Sequence, residues 1–142
     1  MRKIIIVLFI CVAAACKKDT DKTLTAKTWV IESATVSPAM TLGAKTTTNY
    51  IELMGPNSCV ANMMINFSTD GTYSMSSNGA LCDMYVSTDI KTWRRDGEKV
   101  ILSANGTSPM LLKGDKLTQT TTSNAPGGVI YTIVYVYKAQ SK

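Results

Sequence analysis

The sequence predicts an all-β domain, an antiparallel up-and-down barrel of about eight to ten short strands, and three observations carry that prediction. From residue 28 onward apolar side chains recur at alternate positions in short runs, and no stretch holds a helical apolar period. Threonine is abundant, as in Thr46-Thr47-Thr48 and Thr120-Thr121-Thr122, and a branched Cβ suits a pleated backbone. The runs are separated by short clusters of Gly, Pro, Asn and Asp, so sequence neighbours pair antiparallel and a meander removes its exposed edges by closing on itself. A two-sheet sandwich is the competing arrangement, because alternation alone does not separate a barrel interior from an inter-sheet core.

The 142 residues make room for one domain, preceded by a segment of a different character. Met1-Arg2-Lys3 is followed by an uncharged run, Ile4 to Ala15, that is shorter than the roughly 17 to 25 residues a bilayer span requires. Small residues, Ala13-Ala14-Ala15, then precede Cys16, and a charged string begins at Lys17. Residues 1–15 therefore read as a signal peptide. The small residues before Cys16 resemble the lipobox of bacterial lipoproteins, with Ala13 where that family usually carries Leu. The resemblance implies that Cys16 receives acyl chains and becomes the membrane-anchored N-terminus. Each buried methylene adds about 0.8 kcal/mol, so two or three chains hold a protein stably at a bilayer. Lys17 stands where an Asp retains such proteins at the inner membrane, so an outer-membrane location follows, on the periplasmic or the cell-surface side. Lys17, Asp19 and Asp21 also look like the surface-export tags of Bacteroidetes lipoproteins. Residues 16–23 are expected to be a flexible tether and 24–142 the folded domain.

Loss of residues 1–15 removes Arg2 and Lys3, which leaves 13 basic and 10 acidic side chains and a net charge of +3. So small an excess, scattered along the chain, argues against a nucleic-acid partner. Cys11 leaves with the signal segment and Cys16 carries the anchor, so Cys59 and Cys82 remain for the folded part. In an oxidising compartment such a pair is expected to close as a structural disulfide. A redox or metal role lacks the close Cys-x-x-Cys spacing and any His partner.

Taken in order, the strand candidates begin with residues 28–36, with Trp29 and Ile31 on one face and Glu32 on the other. Residues 49–54 follow, stopped by Gly55-Pro56-Asn57-Ser58. Residues 62–67 place Met63, Ile65 and Phe67 on one side, and Thr69-Asp70-Gly71 reads as a hairpin turn into 72–75. Runs at 83–88 and 90–95 lead to Asp96-Gly97 and a strand at 99–103. Residues 110–113, the Gly114-Asp115 turn and residues 116–123 come next. The last strand, 129–138, sets Tyr131, Ile133, Tyr135 and Tyr137 on one face and Ile130, Thr132, Val134 and Val136 on the other, so both faces are expected to be occupied. Residues 39–45 and 77–84 are the places where a short helix fits.

Four segments together carry a family likeness. Leu24-Thr25-Ala26-Lys27-Thr28-Trp29-Val30-Ile31, Ile65-Asn66-Phe67-Ser68-Thr69-Asp70-Gly71-Thr72-Tyr73, Thr92-Trp93 before Arg94-Arg95-Asp96-Gly97, and Leu117-Thr118 resemble the lipocalin-like domains of Bacteroidetes lipoproteins. The likeness covers about residues 24 to 138. It implies a barrel that opens on a tryptophan strand and, by analogy with true lipocalins, a small apolar ligand.

The chemistry-bearing residues narrow the function classes. The chain contains no His, which excludes Ser-His-Asp and Cys-His devices and the common catalytic zinc sites. Asp70, Asp96 and Asp115 adjoin glycines and are explained by turn geometry. Asp83 and Asp89 face each other only if a hairpin joins them, and no hydroxyl has a visible activating base. The domain is therefore expected to be no enzyme and to need no cofactor or metal; its seven methionines after Cys16 read as adaptable filling. Binding remains: Trp29, Met63, Ile65, Phe67, Tyr73, Trp93, Tyr131 and Tyr135 supply large apolar or amphipathic surface for a small hydrophobic or amphipathic molecule. The alternative is a non-catalytic structural or interaction lipoprotein with a filled barrel, using loops 38–49 and 55–62 toward an envelope protein.

Overall fold

The computed structural model describes residues 21–78, 82, 90–103 and 108–142. Its strands are β1 (Lys27–Leu42), β2 (Lys45–Asn49), β3 (Met63–Phe67), β4 (Tyr73–Ser77), β5 (Trp93–Asp96), β6 (Lys99–Leu102), β7 (Met110–Lys113), β8 (Lys116–Asn124) and β9 (Ile130–Ser141), with a short helix at Tyr50–Met54. One sheet runs in the order β4-β3-β1-β9-β8-β7-β6-β5, with β2 attached to β1 beside this path. All these pairings are antiparallel.

The two ends of that path meet. Thr72 bridges Thr92, the Tyr73 N–H donates to the Lys91 carbonyl at 2.9 Å, and the Trp93 N–H donates to the Gly71 carbonyl at 2.8 Å. Gly71 reaches that position through a φ of 86°, a left-handed conformation that a side chain resists. The sheet thus becomes a nearly closed eight-stranded up-and-down barrel, the predicted fold class. Closure needs the first and last long strands to pair, and β9 lies along β1 from Lys27 opposite Ser141 to Ser37 opposite Thr132.

A bulge in β1 decides which residues face inward. Ile31 pairs with Tyr137 and Ser33 with Val136, so Glu32 is the extra residue. Before it the odd positions Trp29 and Ile31 point into the barrel; after it the even positions Ala34 and Val36 do, opposite Tyr135 and Ile133. On the outside of β9, Val134 and Val136 are half-buried, flanked across the strands by Thr35, Thr118 and Thr120.

The barrel has one sealed end. There the chain enters through a helical turn at 21–25, whose Leu24 is fully buried. The Trp29 indole N–H donates to the Leu24 carbonyl at 3.0 Å, a buried bond that ties the entering chain to the first strand. Arg95, nearly covered, reaches Asp21 at 3.5 Å, and the Lys142 ammonium donates to the Thr25 carbonyl at 2.7 Å. This helical turn takes in residues 21–23 of the segment 16–23 expected to be tether.

Local signals explain the remaining elements, with two corrections. Residues 49–54, expected as a strand, form the end of β2 and then the helix Tyr50–Met54. Asn49 caps that helix by accepting the Glu52 N–H at 3.1 Å, and Gly55 ends it with φ 91°. Residues 39–45, one of two places where a helix fitted, are the end of β1 and its turn into β2. Turn 68–72 forms as expected, with Asp70 accepting the Thr72 N–H at 2.8 Å and its hydroxyl at 2.7 Å. Cys59 and Cys82 are joined, with Cα atoms 5.5 Å apart. The strand expected at 83–88, the helix at 77–84 beyond residue 78 apart from Cys82, the signal segment 1–15 and Cys16 lie outside the described residues.

Candidate functional site

The interior divides by depth. Nearest the sealed end, Trp29, Ile65, Phe67, Val100, Met110 and Leu117 have no exposed surface at all, so no water-sized void touches them. Phe67 sits edge-on to Trp93 at 5.5 Å between ring centres and tilted to Tyr73 at 6.2 Å. The Trp93 indole N–H donates to the Ser68 carbonyl at 3.1 Å, which fixes that ring across the joint between β4 and β5. Beside it lies an open cleft of about 160 Å³, lined by Thr92, Trp93, Arg94, Ile101, Leu102 and Ser103.

Toward the distal end the inward positions become polar. Tyr135 pairs with Gln119 on β8, Ile133 with Thr121 and Tyr131 with Ser123. Because Tyr137 and Leu117 point inward opposite each other, alternation turns each of these pairs inward as well. The helix Tyr50–Met54 adds Leu53, which is buried, and Tyr50, whose ring meets that of Tyr135 edge-on at 6.2 Å. The capping bond at Asn49 starts the helix and so sets where Tyr50 falls.

Three tyrosines thus occupy one end of the barrel, all half-buried, above the packed layer. Burial raises the Tyr135 hydroxyl above its ordinary range, the neighbouring Tyr50 adds to the rise, and a hydrogen bond with Thr121 opposes it. Burial also pushes Tyr137 far up, with Tyr135 contributing, and its hydroxyl donates to the Met63 sulfur at 3.1 Å. These phenols stay neutral across physiological pH and act as hydrogen-bond donors and acceptors. Gln119 donates to the Ser108 carbonyl at 3.4 Å, which turns its amide away from solvent. Among the described residues no group of three or more His, Cys, Asp or Glu is placed to hold a metal ion.

The structure distributes the eight residues expected to line a ligand site into three places. Trp29, Ile65, Phe67 and Tyr73 belong to the packed layer and contact one another's neighbours rather than open space. Trp93 lies at the β4–β5 joint. Met63, Tyr131 and Tyr135 lie at or below the distal end, half-buried. Tyr50, Gln119 and Thr121 join them there, and sequence reading missed all three. The β8–β9 alternation, once its register was known, carried the signal for Gln119 and Thr121; Tyr50 was hidden inside a segment expected to be a strand.

No protein-family model, curated protein or solved structure matches the chain.

Proposed function

We propose that the chain is an envelope lipoprotein, held at the outer membrane by acylated Cys16, that binds a small amphipathic molecule at the distal end of its barrel. The observation that carries the reading is the change of character along the interior. Fully packed apolar side chains fill one half, and half-buried Tyr50, Tyr131 and Tyr135 with Gln119 and Thr121 gather at the other. Aromatic faces bury the apolar part of a ligand, and neutral hydroxyls orient its polar part, a composition typical of small-molecule sites. The packed layer limits the ligand's depth, so it seats at the end of the barrel rather than along its axis.

Mass spectrometry of molecules retained by natively purified protein tests the reading. A retained amphipathic molecule that is lost from Tyr135→Phe, at unchanged stability, supports it; protein that carries nothing and whose Tyr135 absorbance ignores amphipathic additives overturns it. A second reading, a structural or interaction lipoprotein, is favoured by the exposed Leu42, Met54, Val129 and Ile130 on the distal segments. Cross-linking in intact cells that recovers one recurring envelope protein would support that reading instead.

A further inference from the structure

The distribution of charge over the barrel is uneven. Apart from Lys45 and Lys91, every Lys and Arg from Lys22 onward lies on the strand ends and turns around the sealed end. The acids there are not spread to match. Asp70, Asp96 and Glu98 stand on the 68–72 turn and the β5–β6 hairpin with Arg94 and Lys99, whereas Asp21 is engaged by Arg95 and Glu32 by Lys116. The side formed by β7, β8, β9 and β1 is left with Lys22, Lys27, Lys113, Lys116, Lys138 and Lys142 against Asp115 and Glu32.

Three of these lysines are set in a row that costs stability. Lys113 lies directly opposite Lys116, and Lys116 directly opposite Lys138, all on the outer face because Leu112, Leu117 and Tyr137 point inward. Like charges paired across strands repel. Glu32 neutralises the middle one at 2.6 Å, but among the described residues Lys113 and Lys138 have no acidic partner. Nothing in the packing requires either ammonium, since both side chains are exposed.

The place where the chain enters the barrel gives this face its occupant. Cys16 is five residues from Asp21, which allows a reach of at most about 18 Å. The twelve residues of β9 extend about 40 Å along the strand. An anchor on Cys16 therefore keeps the sealed end near the bilayer and cannot bring the distal end there instead.

We infer that the lysine face around the sealed end docks on the anionic headgroups of the bilayer that holds the anchor, so that the tyrosine-lined end points away from the membrane. This rests on the reading of Cys16 as the acylated residue. The tether supplies proximity and the lysines supply orientation, because clustered Lys near an anionic surface is attracted within about one Debye length. A ligand then enters from the aqueous side.

The full acylated chain, reconstituted in vesicles with a headgroup-attached quencher, tests the inference. One fluorophore is placed at the sealed end through Ser141→Cys and, in a separate sample, at the distal end through Leu42→Cys. In vesicles containing about one-third phosphatidylglycerol the sealed-end probe is expected to be quenched about threefold or more above the distal one, and this contrast should shrink to the smaller difference the tether alone gives in phosphatidylcholine alone or near 1 M salt. Lys113→Glu with Lys138→Glu should reduce it to that same tether-only difference, and that pair favours folding by setting opposite charges beside Lys116. Should the double variant fail to fold, the salt and lipid comparisons decide without it. Equal quenching at both ends, or a contrast indifferent to anionic lipid and salt, overturns the inference while leaving the anchor intact. Intact mass of the same sample reads the anchor separately, and an unmodified Cys16 overturns the tether reading and this orientation with it.

Discussion

Trp29→Phe isolates the bond that seals the barrel. The indole is fully covered and its N–H is the partner of the Leu24 carbonyl at 3.0 Å, in a residue that is itself fully covered. Phenylalanine keeps a ring in place but removes the donor, and a buried carbonyl left without a partner costs about 1–3 kcal/mol. The lost pyrrole portion leaves a void of roughly 35–40 Å³, which at about 24 cal/mol per Å³ adds about 1 kcal/mol. The expected loss is therefore about 2–4 kcal/mol, a large share of the roughly 5–15 kcal/mol typical of a domain. Urea denaturation followed by far-ultraviolet circular dichroism, with Trp93 as the remaining fluorophore, reads it as a midpoint lowered by about 1–2 M. Asp21→Asn is the control, because it leaves Arg95 and its 2.7 Å bond to the Gly97 carbonyl in place and removes only the charge of the more exposed partner in a long 3.5 Å contact, worth less than about 1 kcal/mol. A Trp29→Phe protein within about 0.5 kcal/mol of the parent would refute the claim that this bond closes the end.

Three further outcomes follow from the same geometry. Replacing both Cys59 and Cys82 by Ser opens a loop with a sequence separation of 23, for which chain entropy gives about 3–4 kcal/mol; denaturation of the oxidised parent against the variant measures it. Asn49→Ala removes the cap of the helix Tyr50–Met54 and should cost about 1 kcal/mol, with the edge contact between Tyr50 and Tyr135 loosened, visible as a shift in the near-ultraviolet tyrosine dichroism. Tyr135 and Tyr137 both ionise later in the folded protein than the ordinary 10.0, so above that pH the unfolded chain holds fewer protons than the folded one. Stability should then fall as pH rises from about 10, while Asp70, whose carboxylate is lowered by the Thr72 hydroxyl and N–H, acts oppositely, with its contribution complete above its ordinary 3.8 and lost as the pH falls below that value. Thermal midpoints measured against pH that rise above pH 10, or that ignore acid in a comparison with Asp70→Asn, would contradict these signs.

Much of the fold was legible because strand periodicity and turn chemistry agree along most of this chain. Met110 to Lys113 is bounded by a turn on its C-terminal side, and its expected limits are those of β7. The turn at Asp70-Gly71 was readable for the same reason, since carboxylate and glycine both favour that geometry. The helix at Tyr50 was not, because Ile51-Glu52-Leu53 alternates over the short span a strand needs and the deciding signal is one Asn–Glu capping pair. The candidate site was less legible than the fold. Alternation says which face Trp29 and Tyr135 share but not how deep each lies, and depth separates a packed ring from one with a free edge. Pairing partners across the ring, on which Gln119 and Thr121 depend, are long-range facts that no local pattern carries.

The extra residue at Glu32 makes β1 two half-strands spliced out of phase. What matters at that point is the register of the two halves more than the kind of residue between them. Another polar side chain there forfeits the tie to Lys116 but leaves both halves as they are. A chain shortened by that single residue would make Ile31 and Ser33 neighbours opposite Tyr137 and Val136, so strict alternation would return with Ala34 and Val36 still inward; keeping Glu32 while straightening the bulge would instead turn Ala34 and Val36 to the solvent and bring Ser33 and Thr35 inward. In relatives of this protein the loss of one residue at this point is accordingly compatible with the same interior, and other changes of length should collect in the turns.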